Sequence, residues 1–154
     1  MQDFVHLHVH TQYSLLDGQA SVSRLVDKAM KDGMKGIAVT DHGNMFGIKE
    51  FTNYVNKKNS GPKGEIKDLK KRIAGIESGE IECEDKEAEI ADCRAKMAEA
   101  ESKLFKPIVG CEMYVARRTM DKKEGKPDQS GYHLIVLAKN EKGYHNLIKL
   151  VSHA

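Results

Sequence analysis

Apolar and polar positions alternate at the start of the chain. In Phe4-Val5-His6-Leu7-His8-Val9-His10, an extended backbone turns Val5, Leu7 and Val9 to one face and His6, His8 and His10 to the other. The pattern predicts a first strand over 4–10. The period then changes. Val22, Leu25, Val26, Ala29 and Met30 recur at helical spacing between Ser21, a good N-cap, and Gly33, a good stop, which predicts a helix over about 22–32. Gly36-Ile37-Ala38-Val39-Thr40 is a short apolar run of the kind that forms strands covered on both faces. A helix over about 46–58 follows. Residues 107–115 and 132–138 read as two further strands. A last helix is predicted over about 141–152, with Leu147, Ile148 and Val151 as its apolar side. Strand alternating with helix predicts an α/β protein of parallel βα units. Three or four such units do not close a barrel, which takes about eight in its commonest form. The chain therefore reads as a piece of something longer.

Residues 60–105 follow another rule. Ser60-Gly61-Pro62 reads as a break after the preceding helix. Ile66, Leu69, Ile73 and Ile76 then form one narrow apolar stripe, and Ile90, Cys93, Met97, Ala100 and Leu104 another, with Ser78-Gly79 between them. Two charged helices with such seams predict an antiparallel helical hairpin. Its stripes cover each other, or it forms an arm that binds a partner. The expected organisation is 1–59, a hairpin over 60–105, and 106–154.

Composition narrows the class. The 154 residues are enough for one core of ordinary size. A net charge of +2 is too small to argue for nucleic acid by itself. No apolar run approaches the ~18 residues of a membrane span. Met1-Gln2-Asp3 leads directly toward the first strand, so no signal peptide is expected. Cys83, Cys93 and Cys111 are odd in number and lack paired spacing, so free thiols in the cytoplasm are expected.

The histidines change the picture most. Three imidazoles on one face of an apolar strand are costly in a core unless they have partners. They are either surface rings on a half-exposed strand or neutral ligands for a metal. In a βα sheet the C-terminal strand ends share one face and carry the site. His8 and His10, Asp17 in the next turn, His42 after the second strand and Glu112 in the third can therefore converge. Such mixed ligands suit Zn, Mn or Fe. Asp17 before Gly18 could instead simply make a turn, and His42 alone would be an ordinary loop residue. Glu112 in an apolar strand needs a partner. Asp41 is expected to orient a ring from behind the ligands, and His6 to be a hydrogen-bonded core histidine. His133 begins the fourth strand, the wrong end if that strand is parallel. A hairpin through 117–131 would bring it back beside Glu112.

Four segments together resemble a known family: His8-Val9-His10-Thr11 with Ser14, Thr40 through Gly47, Lys106 through Glu112, and Tyr132 through Asn140. They are similar to the polymerase and histidinol phosphatase (PHP) domain, and most of all to the branch at the start of the alpha subunits of bacterial replicative (C-family) DNA polymerases. The resemblance covers nearly everything outside 60–105. It implies a distorted seven-stranded β/α barrel, here partial, and a cluster of up to three metals on His8, His10, Asp17, His42, Glu112 and His133. It also implies a parent DNA-directed DNA polymerase that takes DNA and deoxynucleotides and works with other replicase subunits. In some members the retained metal site accompanies 3′–5′ proofreading; in others the domain is a scaffold. The fragment alone is expected to be inactive. The 60–105 helices depart from the family pattern. The alternatives are a stand-alone phosphatase of the same fold, acting on a small monoester such as histidinol phosphate, and a non-catalytic scaffold that docks a partner.

Overall fold

The computed structural model describes residues 4–154; the leading Met1-Gln2-Asp3 lies outside the described residues. Two compact units emerge. One runs to Tyr54 and resumes at Lys106–Ala154, and the other is Val55–Phe105. The second unit thus begins inside a helix rather than at Ser60.

The first unit opens with an extended segment, not the strand expected over 4–10. It lies along β1 (Gly36–Val39), where Ala38 N–H donates to His6 O and Thr40 N–H to Val9 O, each at 2.9 Å. Three steps of the segment thus match two steps of β1. The surplus residue makes a bend at Leu7 and breaks the ladder, as a bulge does. The Val9 N–H is instead satisfied by Thr40 Oγ1 at 2.9 Å. Across such a slip, side-chain alternation changes face.

Helix α1 (Val22–Lys31) buries Val22, Val26 and Ala29. Ser21 occupies its N-cap position, but its hydroxyl makes no cap bond. Gly33, at φ +78°, ends it: Gly33 N–H bonds Met30 O and Met34 N–H bonds Ala29 O, each at 3.0 Å, a Schellman closure. β1 follows with all four residues buried. It pairs in parallel with β2 (Lys106–Val115), Gly36 opposite Lys106 and Val39 opposite Val109. β2 then pairs with β3 (Tyr132–Leu137) in antiparallel register, from Gly110 opposite Leu137 to Val115 opposite Tyr132. The order is β1-β2-β3. The fourth predicted strand is therefore antiparallel, by the hairpin route. The final helix (Glu141–His153) is capped by Asn140 Oδ1, which accepts from Gly143 N–H at 2.9 Å. It buries Leu147, whereas Ile148 of the same apolar side is exposed.

The second unit contains the end of α2 (Ile48–Lys58), α3 (Ser60–Ser78) and α4 (Lys86–Ser102). The preceding helix ends at Lys58, as expected, and α3 starts at Ser60 with only Asn59 between them, so Ser60-Gly61-Pro62 opens a new helix rather than a loop. Helical bonding passes through Asn59, whose N–H donates to Val55 O at 2.9 Å and whose carbonyl accepts from Lys63 N–H at 3.0 Å. Pro62 falls in the first turn of α3, where no intrahelical N–H is required. Ile66, Ile76, Cys93 and Ala100 of the two stripes are buried. Gly75 makes room for the turn, because a Cβ there would sit 2.7 Å from Ile81. At the other end the buried Asn59 side chain accepts from Phe105 N–H at 2.9 Å and donates to Phe105 O at 2.8 Å. All three cysteines are free. No helix among the described residues is long and apolar enough to cross a membrane.

Candidate metal centre

The site begins where β1 stops. Past Val39 the chain stays strapped to β2: Glu112 N–H donates to Asp41 O at 3.0 Å and Gly43 N–H to Glu112 O at 2.9 Å. His42 is thereby bridged in parallel register to Glu112. Gly43 takes φ +59°, a left-handed conformation that suits glycine, beside the ring of Tyr114.

Buried Asp41 latches the preceding loop rather than a ring. Its carboxylate accepts from Thr11 N–H at 2.6 Å, Thr11 Oγ1 at 2.8 Å and Ser14 Oγ at 2.7 Å. These bonds go to the loop and not to a ring, against the expectation that Asp41 orients an imidazole from behind the ligands. Ser14 Oγ in turn accepts from His42 N–H at 3.1 Å. The latched turn carries Asp17 toward His42, with 2.7 Å between Asp17 Oδ2 and His42 Nε2. Leu16 in this turn has φ +72°, a strained conformation for a branched side chain. Gly18 is required for close approach, since a Cβ would lie 1.7 Å from Thr11 O.

Glu112 stands at the centre, its side chain 4% exposed. Its Oε2 lies 2.9 Å from His8 Nε2, 2.6 Å from His10 Nε2 and 3.5 Å from His42 Nδ1, and its Oε1 contacts His133 Nδ1. Burial pushes the Glu112 carboxyl up, but hydrogen bonds with His8, His133 and His10 and the nearby His42 outweigh it and hold it at about 2. The group is therefore a carboxylate at neutral pH.

The six predicted ligands all meet here, in three overlapping groups: His8, His10 and Glu112; His10, Asp17 and His42; His42, Glu112 and His133. Within each group the ligand atoms lie within 4.8 Å of one another. Two ligands ~2.0–2.1 Å from a shared tetrahedral ion are roughly 3.3 Å apart. The His8 and His10 nitrogens, 3.1 Å apart and both against Glu112 Oε2, are near that spacing. Each ring can donate its Nε2–H to that oxygen, but the two nitrogens then face one another at 3.1 Å with no bond between them, whereas one cation can satisfy all three atoms. The donor set thus fits a divalent metal.

His6 does not take part. It is exposed, with its ring edge-on to Phe4 at 4.7 Å, which overturns its reading as a core histidine. The slip at Leu7 takes it out of phase with His8 and His10. Tyr114 escaped the sequence reading. Its hydroxyl is 3.0 Å from His42 Nδ1, and its ring stacks on His42 and stands edge-on to His133. Its place one step past the Glu112–Met113 pair in β2 was the available signal, because β2 and β3 together set Tyr114 opposite His133. Cys111, beside Glu112, is no thiolate. Burial pushes its thiol up to about 11, and Sγ donates to Asp41 O at 3.4 Å.

The PHP domain family profile matches residues 6–154. The chain is 39% identical over 150 residues to the DNA polymerase III subunit alpha of Borreliella burgdorferi and 39% identical over 152 residues to that of Treponema pallidum. It is 32% identical over 155 residues to that of Aquifex aeolicus. These matches take in 97 or 98% of this chain and 9 or 10% of each relative, so the chain spans about a tenth of the length of the curated relatives it matches.

Proposed function

The chain belongs to the PHP domain family, and from that premise we propose that His8, His10, Asp17, His42, Glu112 and His133 hold divalent metal ions, up to three, of Zn, Mn or Fe type. The convergence of these six side chains in three overlapping groups carries the reading. Bound there, such ions offset phosphate charge and make a water molecule acidic enough to attack near neutral pH. The protein's own part is to hold the imidazoles and carboxylates in place. Asp41, Thr11 and Ser14 fix the loop, and Tyr114 braces His42. Asp17, more than half exposed, and His8 and His133, about half exposed, leave the cluster open to a phosphate from solvent.

The parent protein, on this reading, is a cytoplasmic DNA-directed DNA polymerase that takes DNA and deoxynucleotides and works with other replicase subunits. The names of the relatives support this over a stand-alone phosphatase. The PHP site would support 3′–5′ phosphodiester hydrolysis in that protein. The β1-β2-β3 sheet is part of a distorted β/α barrel, and Val55–Phe105 is an antiparallel helical hairpin inserted between two barrel strands. Its support is chain order: the unit falls in the connection between the parallel neighbours β1 and β2.

Elemental mass spectrometry tests the metal reading on chain purified without chelator and on His8→Ala/His10→Ala. Near-stoichiometric Zn, Mn or Fe that disappears in the double variant is expected. No metal in either protein, or equal metal in both, overturns the proposal.

A further inference from the structure

We propose that the lysine face of α3 is a docking surface for the phosphate backbone of a nucleic acid. Lys63, Lys67, Lys70 and Lys71 follow at steps of four, three and one, which keeps them on one side of the helix. All four are exposed, and with Ile66 and Ala74 they line an open groove of about 470 Å³. Glu65 falls on the opposite side of the helix, and Asp68 on its flank, three residues before Lys71.

Four other cations of the unit are paired. Arg72 pairs with Glu89 at 2.7 Å, Arg94 with Glu77 at 3.8 Å, Lys96 with Asp92 at 2.6 Å and Lys103 with Glu99 at 2.8 Å. None of these pairs draws on Lys67, Lys70 or Lys71. Lys63 is steadied by Asn56 Oδ1 at 2.8 Å, a neutral acceptor that leaves its charge uncompensated.

Charge is also segregated along the unit. Residues 57–72 hold seven lysines and arginines against two carboxylates, and residues 77–92 hold eight carboxylates against one lysine. A helix pair stabilised by its own surface would interleave the two signs. Segregation instead creates a field that attracts a polyanion to one end and repels it from the other.

The chemistry of the patch selects the kind of polyanion. Protein interfaces favour aromatic residues and arginine and are poor in lysine. This groove presents lysines with an isoleucine and an alanine, and no aromatic ring or arginine lines it. Flexible ammonium groups on a helix suit phosphate oxygens, which position a nucleic acid without reading its sequence. Binding here is therefore independent of base sequence.

The test is a salt titration of binding to a random-sequence DNA duplex, using the 154-residue chain. The variants are Lys67→Gln/Lys70→Gln/Lys71→Gln and the control Lys96→Gln/Lys103→Gln, with thermal melting to check that each is folded. The expected result for the α3 triple is a log K against log salt slope shallower by about 2.7, with affinity at about 50 mM salt down tenfold or more. The control should match the parent chain. An unchanged slope in the triple variant, or an equal loss in the control, overturns the proposal. Binding to polyglutamate in preference to DNA also overturns it, in favour of an acidic protein partner.

Discussion

In the sheet-bearing unit the Glu112 side chain is 4% exposed and stands among four imidazoles, whereas in the helical unit Lys96 and Asp92 pair with more than half of each side chain in water. Both regions are rich in charge, and burial separates them. A carboxylate withdrawn from water is costly unless strongly compensated, and removing its partners exposes that cost. An exposed pair trades water for a partner at almost no net gain. The convergent site is thus where substitution should be felt. The helical unit should tolerate it, apart from its internal seam.

Replacing Glu112 should break the contrast most completely. Glu112→Gln removes the charge shared by two of the three candidate groups, and metal measured by elemental analysis should fall to background. Metal-free protein gives the same answer through pH. The carboxyl is held at about 2 against an ordinary 4.5, so its ionised form stabilises the fold fully above pH 4.5 and loses that effect as pH falls toward 2. That contribution is of order 3 kcal/mol. The stability gap between the parent chain and Glu112→Gln, from denaturant unfolding, should narrow across that window.

Next in size is the latch. Asp41→Asn weakens a carboxylate that accepts three hydrogen bonds while 1% exposed, and should cost about 2–4 kcal/mol by denaturant unfolding. A smaller change, Tyr114→Phe, removes one hydroxyl beside His42. It should weaken metal affinity by roughly tenfold with little loss of stability, as for other groups that orient a ligand from behind. The smallest effect sharpens the comparison from the other side: Lys96→Gln should leave the melting temperature unchanged, because its ion pair lies in water.

Much of this was legible in the chain. The two stripes of the helical unit, the strands over 106–115 and 132–137, and the six residues that converge all follow from local period and side-chain chemistry. What could not be read locally is equally specific. His6 has the same spacing from His8 as His8 has from His10, yet a slip against β1 turns it away. Asp41 adjoins His42 in sequence but serves Thr11 and Ser14. Ser60-Gly61-Pro62 marks the end of α2, but α3 starts at once because Pro62 falls in its first turn.

By itself the sequence determined the element types from α1 onward, the seams of the helical pair and the candidate metal ligands, because periodicity and ligand chemistry belong to neighbouring positions along the chain. Only the tertiary structure decided that β3 runs antiparallel, that Tyr114 joins the cluster and His6 leaves it, and that lysines of α3 share an open groove. Glu112 is 104 residues from His8 and 21 from His133. Contacts at that separation depend on sheet register, which arises from the packing of the whole unit.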